Sequence, residues 1–355
     1  MTMTRASSRL PFMSVVVNTY NGAGTIARTL DSLLAQDYPA DRREIIVVDD
    51  GSTDNTSHIV AQYPAVRCIV LAHNVGISEA RNAGLAAAKG DVYAAFDDDC
   101  IASPDWLRQL AKGYSFPDVI GVGGYLVDES EAGGVPKKYR DATGSGFAPR
   151  ATATDKRSFM RRLQAYVMAG LRRFESSDEE WTEVTELYGA NSSFPIAALR
   201  EVGGWRADMT GIEDRDVCLR IRKCYPNKHF YAIRDAKIIH DPMMSLTQYL
   251  LRPYRRGLAN FRFHYVNKIT PPLFPFPLLM LGAVGIAVAV NRFAVPGVLL
   301  LAPQLLYFWW PYYAARHRKP TYLLFPYLQL AEEAMVLVGL LRGYVSHVKE
   351  AYGDR

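Results

Sequence analysis

The apolar run at residues 92–96 ends in three consecutive aspartates, Asp97, Asp98 and Asp99. A short apolar run bounded by charge reads as a buried strand. A strand that ends in carboxylates puts hard oxygen ligands at the mouth of a sheet, where a divalent cation could bridge them to a diphosphate. Taken alone, the triplet fits a solvated turn equally well, because aspartate hydrogen-bonds its own backbone there. The flanking sequence favours the first reading. Residues 13–18 form a second strand pattern, 25–35 a helical one, and 44–48 a strand that runs into Asp49 and Asp50. A helix near 55–63, a strand around 66–71 and a helix over 78–89 follow before the strand that carries the aspartates. Strands alternating with helices predict a βαβ series, hence an α/β fold with a Rossmann-like, mostly parallel sheet and its ligands at the carboxyl ends of the strands.

Composition bounds the alternatives. With 355 residues, 49% hydrophobic and 22% charged, the chain can build one large core or two domains. A net charge of +5 selects no partner class. The basic residues gather beside the apolar C-terminal segments rather than on a separate face, so no nucleic-acid partner is expected. Cys68, Cys100, Cys218 and Cys224 show neither a CxxC pair nor zinc spacing and read as reduced thiols. Arg5 and Arg9 precede only a short apolar stretch with no small-residue cleavage site, so no signal peptide is expected.

The last quarter changes character. Residues 269–291 carry no charge, and after Arg292 the stretch 293–315 is again uncharged. Each is about 23 residues, enough to cross a hydrocarbon core of roughly 30 Å, which predicts a hairpin of two membrane helices. Arg252, Arg255, Arg256, Arg262 and Lys268 precede it and Arg316, Arg318 and Lys319 follow it. The positive-inside rule then puts both ends, and the part before them, on the cytoplasmic face. A re-entrant or interfacial hairpin is the alternative. Pro275, Pro277, Pro296 and Pro303 interrupt the helices, and Trp309, Trp310, Tyr312 and Tyr313 read as an aromatic belt. A third apolar stretch, 322–345, holds Glu332, Glu333 and Arg342 and is expected to lie on the surface or pack on the hairpin.

Three parts result: a catalytic-looking domain over 1–245, a basic aromatic connector over 246–270, and a membrane part over 271–355. In the connector, Arg252, Arg255, Arg256 and Arg262 alternate with Tyr249, Tyr254, Phe261, Phe263 and Tyr265. That pattern suits an amphipathic helix on an anionic leaflet, or a grip on the phosphate of a lipid-linked acceptor. Residues 128–156, rich in Gly, Pro and basic side chains, read as a loop that is either a lid or a surface insertion.

The runs SVVVNTYNGAGTIARTLDSLLAQDYP, EIIVVDDGSTDNT, NVGISEARNAGLAAAKGDVYAAFDDDC, GANSSFPIAALREVGGW and GIEDRDVCLRIRK occur in that order within 14–240. Together they resemble the family 2 glycosyltransferases, inverting enzymes with the GT-A fold. Asn18 departs from the pattern, because the family usually has proline there. The resemblance implies a nucleotide-base pocket at Thr19, Tyr20 and Asp50, with Asp49 a turn former and Asp54 either a helix cap or a ligand contact. It implies a helix beside the nucleotide carrying Arg81 and Asn82, although Arg81 would equally pair with a strand-end aspartate. Asp97 and Asp99 match the outer residues of a DxD motif, with Asp98 between them. Such a motif holds Mg²⁺ or Mn²⁺ against the diphosphate. Asp99 is expected as the direct ligand and Asp97 nearer the ribose or sugar, and His240 either completes the metal site or is an ordinary packed histidine.

Glu213 and Asp214 match the family's ED motif. Asp214 is expected as the base that takes the acceptor proton, against the alternative that acidic residues merely complement a helix amino terminus. Asp216 is expected to be structural. Asn191 and Trp205 are expected to line the sugar and acceptor pockets, with core packing the alternative for Trp205. Gln248 is followed by Arg252 and Pro253, so the QxxRW motif of processive relatives is absent and one transfer per encounter is expected. The implied activity is transfer of a sugar from a nucleotide-sugar donor, UDP-sugar favoured, to a lipid-linked acceptor. Two alternatives are a polyprenyl-phosphate sugar synthase and a non-catalytic, membrane-tethered nucleotide-sugar binder.

Overall fold

A computed structural model describes residues 10–127, 138–139, 159–171, 179–209, 211–240, 246–271 and 274–352. The chain divides into two compact units, one of Met1–Ser130 with Ser177–Pro242 and the other of Glu131–Ser176 with Met243–Arg355. The strands are β1 (Met13–Thr19), β2 (Arg43–Asp49), β3 (Val66–Val70), β4 (Val92–Asp97), β5 (Cys100–Ala102), β6 (Val119–Val127), β7 (Trp181–Val184), β8 (Ser192–Pro195) and β9 (His229–His240). The helices in chain order are α1 (Ile26–Leu34), α2 (Thr56–Val60), α3 (Ile77–Ala87), α4 (Trp106–Gly113), α5 (Phe159–Leu171), α6 (Ile196–Glu201) and α7 (Glu213–Cys224). Five more complete the second unit: α8 (Leu246–Asn267), α9 (Pro275–Asn291), α10 (Val295–Leu306), α11 (Trp309–His317) and α12 (Phe325–Tyr352).

The first unit is built on one nine-stranded sheet of order β3-β2-β1-β4-β8-β6-β9-β5, with β7 paired to β9. The predicted α/β sheet is therefore present, and its parallel character is strongest in the first four strands. Neighbours among β3, β2, β1 and β4 are all parallel, whereas β8 runs antiparallel to β4 and β6, and β5 and β7 run antiparallel to β9. Parallel neighbours need crossovers, which α1, α2 and α3 supply among these four strands.

Central strand β1 is buried at every position, which fits its near-continuous apolar sequence. Met13, Val15 and Val17 join Val92, Ala94 and Phe96 in one core beneath Leu30 of α1 and Trp106 of α4. The opposite face carries Val16, Val48 and Tyr93 toward α3, where a Cβ on Gly84 would stand 2.4 Å from Val16 Cγ1. The missing side chain lets α3 lie close to the sheet, and this sets the height at which Arg81, one turn earlier, meets the strand ends.

In the second unit α8 and α12 pack backbone against backbone. A Cβ on Gly257 would lie 2.1 Å from the Val336 carbonyl, and one on Gly339 2.2 Å from that of Tyr254. Two segments, Pro275–Leu306 and Pro320–His347, are long and apolar enough to cross a membrane. The first breaks at Asn291, which is extended (φ −158, ψ 102), so α9 and α10 form two legs joined by a 3₁₀ turn, Arg292–Ala294. The legs have 17 and 12 residues, about 25 and 18 Å at 1.5 Å per residue. Both are shorter than the stretches of about 23 residues read from hydropathy. The second leg stops because Tyr307 leaves the helix (φ −107, ψ 45). Tyr307, Trp309, Trp310 and Tyr313 are buried in a cluster with Phe276, Tyr322 and Phe325. Three of the four residues expected in an aromatic belt are thus core, and only Tyr312 is half exposed, because ring packing outweighs linear hydropathy here. Most apolar side chains of α9 and α10 are exposed or half-exposed, with Val290 of α9 82% and Phe293 of the turn between them 80% exposed, while Phe276, Met280 and Ala287 are buried.

Most of the third apolar stretch is α12. Its Glu333 is buried and accepts hydrogen bonds from Tyr166, from Tyr307 at 2.9 Å and from Gln329 at 3.0 Å. Glu332 pairs with Arg256 at 3.3 Å. The anticipated loop at 128–156 lies outside the described residues apart from 138–139, and so does the side chain of Gln248.

Candidate active site

The carboxyl ends of β1, β2 and β4 bring Thr19, Asp50 and Asp97 to one edge, with Asn18 in register with Asp97 and Thr19 with Asp49. Thr19 Oγ1 donates a hydrogen bond to the Asp98 carboxylate. Thr29 Oγ1, from α1, donates to the carbonyls of Asp98 (2.8 Å) and Cys100 (2.9 Å), fixing the turn that presents the aspartates. Burial pushes the Asp98 carboxyl up to about 6 against the Thr19 bond. Asp50 accepts from the backbone N–H groups of Val75 (2.8 Å) and Gly76 (2.9 Å), so both its oxygens hold the entry to α3. Tyr20 is 49% exposed, leaving its ring free to stack. Asp49 accepts from Ser52 N and Ser57 Oγ as a turn former does, and Asp54 caps the turn into α2 through Thr56 N at 3.0 Å while also holding Ala23 N at 3.1 Å.

Asp99 and His240 come together because β5 pairs with β9, Cys100 opposite His240. His240 Nε2 lies 3.2 Å from Asp99 Oδ2. Asp99, Cys100 and His240 each offer a ligand atom within 4.8 Å of the others. Burial works to raise the Asp99 pKa, but the hydrogen bond and charge of His240 outweigh it and the net shift is downward. A carboxylate oxygen beside an imidazole nitrogen is a donor set that fits a divalent cation, Mn²⁺ better than Mg²⁺. The predicted third ligand, Asp97, is turned toward Arg81 at 3.9 Å.

Arg81 is the hub of the site. Its side chain is 4% exposed, and Nη1 lies 2.6 Å from Asp214 Oδ1 and 2.9 Å from Glu213 Oε1. One buried guanidinium thereby ties the DxD strand end to the first turn of α7. Burial alone would depress the Arg81 pKa, but Asp214, Glu213 and Asp97 together drive it upward. Asp214 is also held by the Gly189 N–H at 2.8 Å. A Cβ on Gly189 would sit 2.1 Å from Arg81 Nη2 and 2.5 Å from Asp214 Oδ2, so the backbone reaches the carboxylate only because that residue is glycine. Burial lifts the Asp214 pKa to about 7; Arg81 opposes that, and Glu213 and Asp97 add to it. Its side chain remains 26% exposed, enough for an acceptor to reach.

Other expected residues are placed as supports. Asn82 donates to the Trp205 carbonyl and accepts from the Trp205 N–H, both at 2.8 Å, so its amide is spent on that backbone. Trp205 is 2% exposed, packed on Tyr93 (5.0 Å between centroids) and under the Arg81 guanidinium (5.9 Å). Asn191 is fully buried, accepting from Trp106 Nε1 at 2.8 Å and donating to the carbonyls of Ala236 (2.9 Å) and Tyr125 (3.2 Å). Asp216 is fully buried and pairs with Arg220 at 2.7 Å. Arg252, Arg255 and Arg256 lie on α8 in the second unit. Sequence reasoning missed the Gly189 contact and the threefold role of Arg81. The only trace was a glycine and an arginine in separate motifs, 108 positions apart (189 minus 81).

The family described as glycosyl transferase family 2 matches residues 14–189. AglE, a glycosyltransferase of Haloferax volcanii, is 32% identical over 140 residues, 38% of this chain and 46% of that protein. The chain thus aligns with less than half of AglE. The glucosyl-dolichyl phosphate glucuronosyltransferase of the same organism is 27% identical over 279 residues, 74% of this chain and 78% of that protein. In fold, the chain resembles the mannosyltransferase PcManGT of Pyrobaculum calidifontis, solved with GDP-Man and Mn²⁺. The TM-score is 0.59 with 20% identity, over 96% of this chain and 89% of that one. An α/β sheet of this order with acidic strand ends is a GT-A fold. The chain belongs to the family 2 glycosyltransferases.

Proposed function

We propose that this protein is an inverting glycosyltransferase that moves a sugar from a nucleotide-sugar donor, UDP-sugar favoured, to a hydroxyl or phosphate of a lipid-linked acceptor, with its sheet domain on the cytoplasmic face of a membrane. The observation that carries the reading is the Arg81 knot, which couples Asp97 to Asp214 and Glu213 beside the Asp99–His240 pair. In the reaction, the acceptor oxygen attacks the anomeric carbon as its proton passes to the Asp214 carboxylate. The carbon–oxygen bond to the diphosphate breaks, and the nucleoside diphosphate leaves with that electron pair. Asp214 can act as base because its pKa lies near neutrality. Arg81 and the Gly189 N–H fix the direction in which its free lone pair points. Thr19, Tyr20 and Asp50 form the nucleotide side.

Asp99 and His240 would hold Mn²⁺ or Mg²⁺, with Asp97 beside them. When bound, the ion neutralises charge on the leaving diphosphate. The Mn²⁺ in PcManGT supports that assignment. The exposed apolar legs α9 and α10 support insertion in lipid, and the dolichyl-phosphate relative supports a lipid-linked acceptor.

The test is release of nucleoside diphosphate by detergent-extracted protein across UDP-, GDP- and dTDP-sugars, with and without Mn²⁺, Mg²⁺ and a total lipid extract. Release that needs one donor, metal and lipid, and that Asp99→Ala and Asp214→Asn abolish, is expected. An acid-labile polyprenyl-phosphate sugar as product would move the acceptor to the lipid phosphate itself. Donor binding with no turnover on any lipid would overturn the reading in favour of a tethered binder.

A further inference from the structure

Asn18, at the end of β1, carries an unmet hydrogen-bonding capacity. It is 6% exposed, and neither its Oδ1 nor its Nδ2 has a hydrogen-bond partner among the described residues. Ser78 is 3% exposed with an unpartnered Oγ, and Arg81 Nε is likewise unpartnered. Leaving such groups unmade costs on the order of 1–3 kcal/mol each, so folds retain them chiefly where something else completes them.

These groups share one place. Side chains alternate along a strand, so Asn18 points to the face of Val16, the face covered by α3. Helix α3 runs back over β1 with Gly84 above Val16. Arg81 therefore stands above Asn18, with Ser78 on the same helix face, nearer the strand end. The Tyr93 hydroxyl, bonded to the Arg81 carbonyl at 3.4 Å, lies near the amide without a bond of ordinary geometry to it. At the entry to α3, a Cβ on Gly76 would meet nothing within 4 Å, so the chain is open there.

Resting on the nucleotide-sugar reading above, we propose that Asn18, assisted by Ser78, is a specificity-determining residue that reads the base of the donor nucleotide. A neutral amide with one acceptor and one donor face can meet a base edge that sets an N–H beside an acceptor, as uracil, thymine, guanine and adenine each do in a different geometry. Being neutral, the amide suits an uncharged base edge better than a diphosphate. Asp50, the expected base reader, already spends an N–H bond on each oxygen at the entry to α3. Tyr20, two positions on from Asn18, offers the stacking ring.

Calorimetry of the full chain in detergent with Mn²⁺ and UDP, dTDP, GDP or ADP tests this. The wild type should prefer one of the four bases over the others. Asn18→Leu should weaken the preferred nucleotide at least about 10-fold and level the differences between bases. Its ligand-free melting temperature should hold or rise, because a buried unpaired amide is gone. Ser78→Ala should shift the same preference less, and it keeps the test usable if Asn18→Leu does not fold. Unchanged affinity and preference in both variants would overturn the inference, and a fall in melting temperature with binding intact would assign the amide to an internal water instead. A wild type that binds none of the four nucleotides would instead refute the glycosyltransferase reading itself.

Discussion

Replacing Arg81 with glutamine removes the one cation that Asp214, Glu213 and Asp97 share, and the consequence is quantitative. The Arg81 side chain is 4% exposed and the Glu213 side chain 9%, with contacts of 2.6 and 2.9 Å to Asp214 and Glu213. Breaking a buried pair of this kind from one side costs about 3–5 kcal/mol, mostly the cost of stranding the remaining charge. For a unit of roughly 200 residues this is a fall in melting temperature of roughly 6–20 °C. The loss must depend on pH. Asp214 already titrates near 7 in the native protein, and Arg81 holds it down. Without Arg81 its folded pKa rises further above the unfolded value of about 3.9. A carboxylate with a raised folded pKa loses its stabilising contribution as pH rises through that value. The gap between Arg81→Gln and wild type should therefore be smallest near pH 5 and widest near pH 8. Thermal unfolding of both proteins in one detergent at pH 5, 6, 7 and 8 measures it, and adding Asp214→Asn to Arg81→Gln should recover part of the loss. A gap independent of pH, or a double variant no more stable than Arg81→Gln, would refute the idea that one guanidinium balances these carboxylates.

Four further outcomes are expected. The kcat/KM of the wild type should fall about tenfold per pH unit below an apparent pKa near 7, since only ionised Asp214 accepts the proton. Asp214→Asn should lower kcat by roughly 10²–10⁴ while nucleotide affinity by calorimetry persists. His240→Ala should raise the Mn²⁺ concentration for half-maximal binding roughly 10- to 100-fold, followed by paramagnetic resonance of the free ion, because it deletes a ligand and lets the Asp99 pKa rise. Asn82→Ala should cost about 1–3 kcal/mol in unfolding, because it leaves the buried Trp205 N–H and carbonyl without partners.

The strand and helix pattern of the first hundred residues was legible in the sequence because it depends on local periodicity. β1, β2, β3 and β4 and the helices between them fall within a few residues of where the apolar spacing put them. The acidic strand ends were legible for the same reason, since a strand delivers its last residue to the sheet edge whatever lies beyond. Hydropathy also marked the C-terminal apolar segments, but it overestimated their helical length, because the ring cluster around Trp309 and Trp310 terminates α10 and hydropathy is blind to ring packing.

Tertiary structure alone decided what the candidate groups touch. Asn82 and Asn191 carry the same amide as Asn18, yet both are spent on internal partners while Asn18 is left with none among the described residues. Arg81 reads in sequence as one basic residue on a helix, and only the fold sets it against three carboxylates from two distant segments. Local sequence fixes backbone propensity within a few residues. The protonation state of Asp214 and the partners of each amide depend on groups brought within 3 or 4 Å by the packing of the whole sheet, which no local window contains.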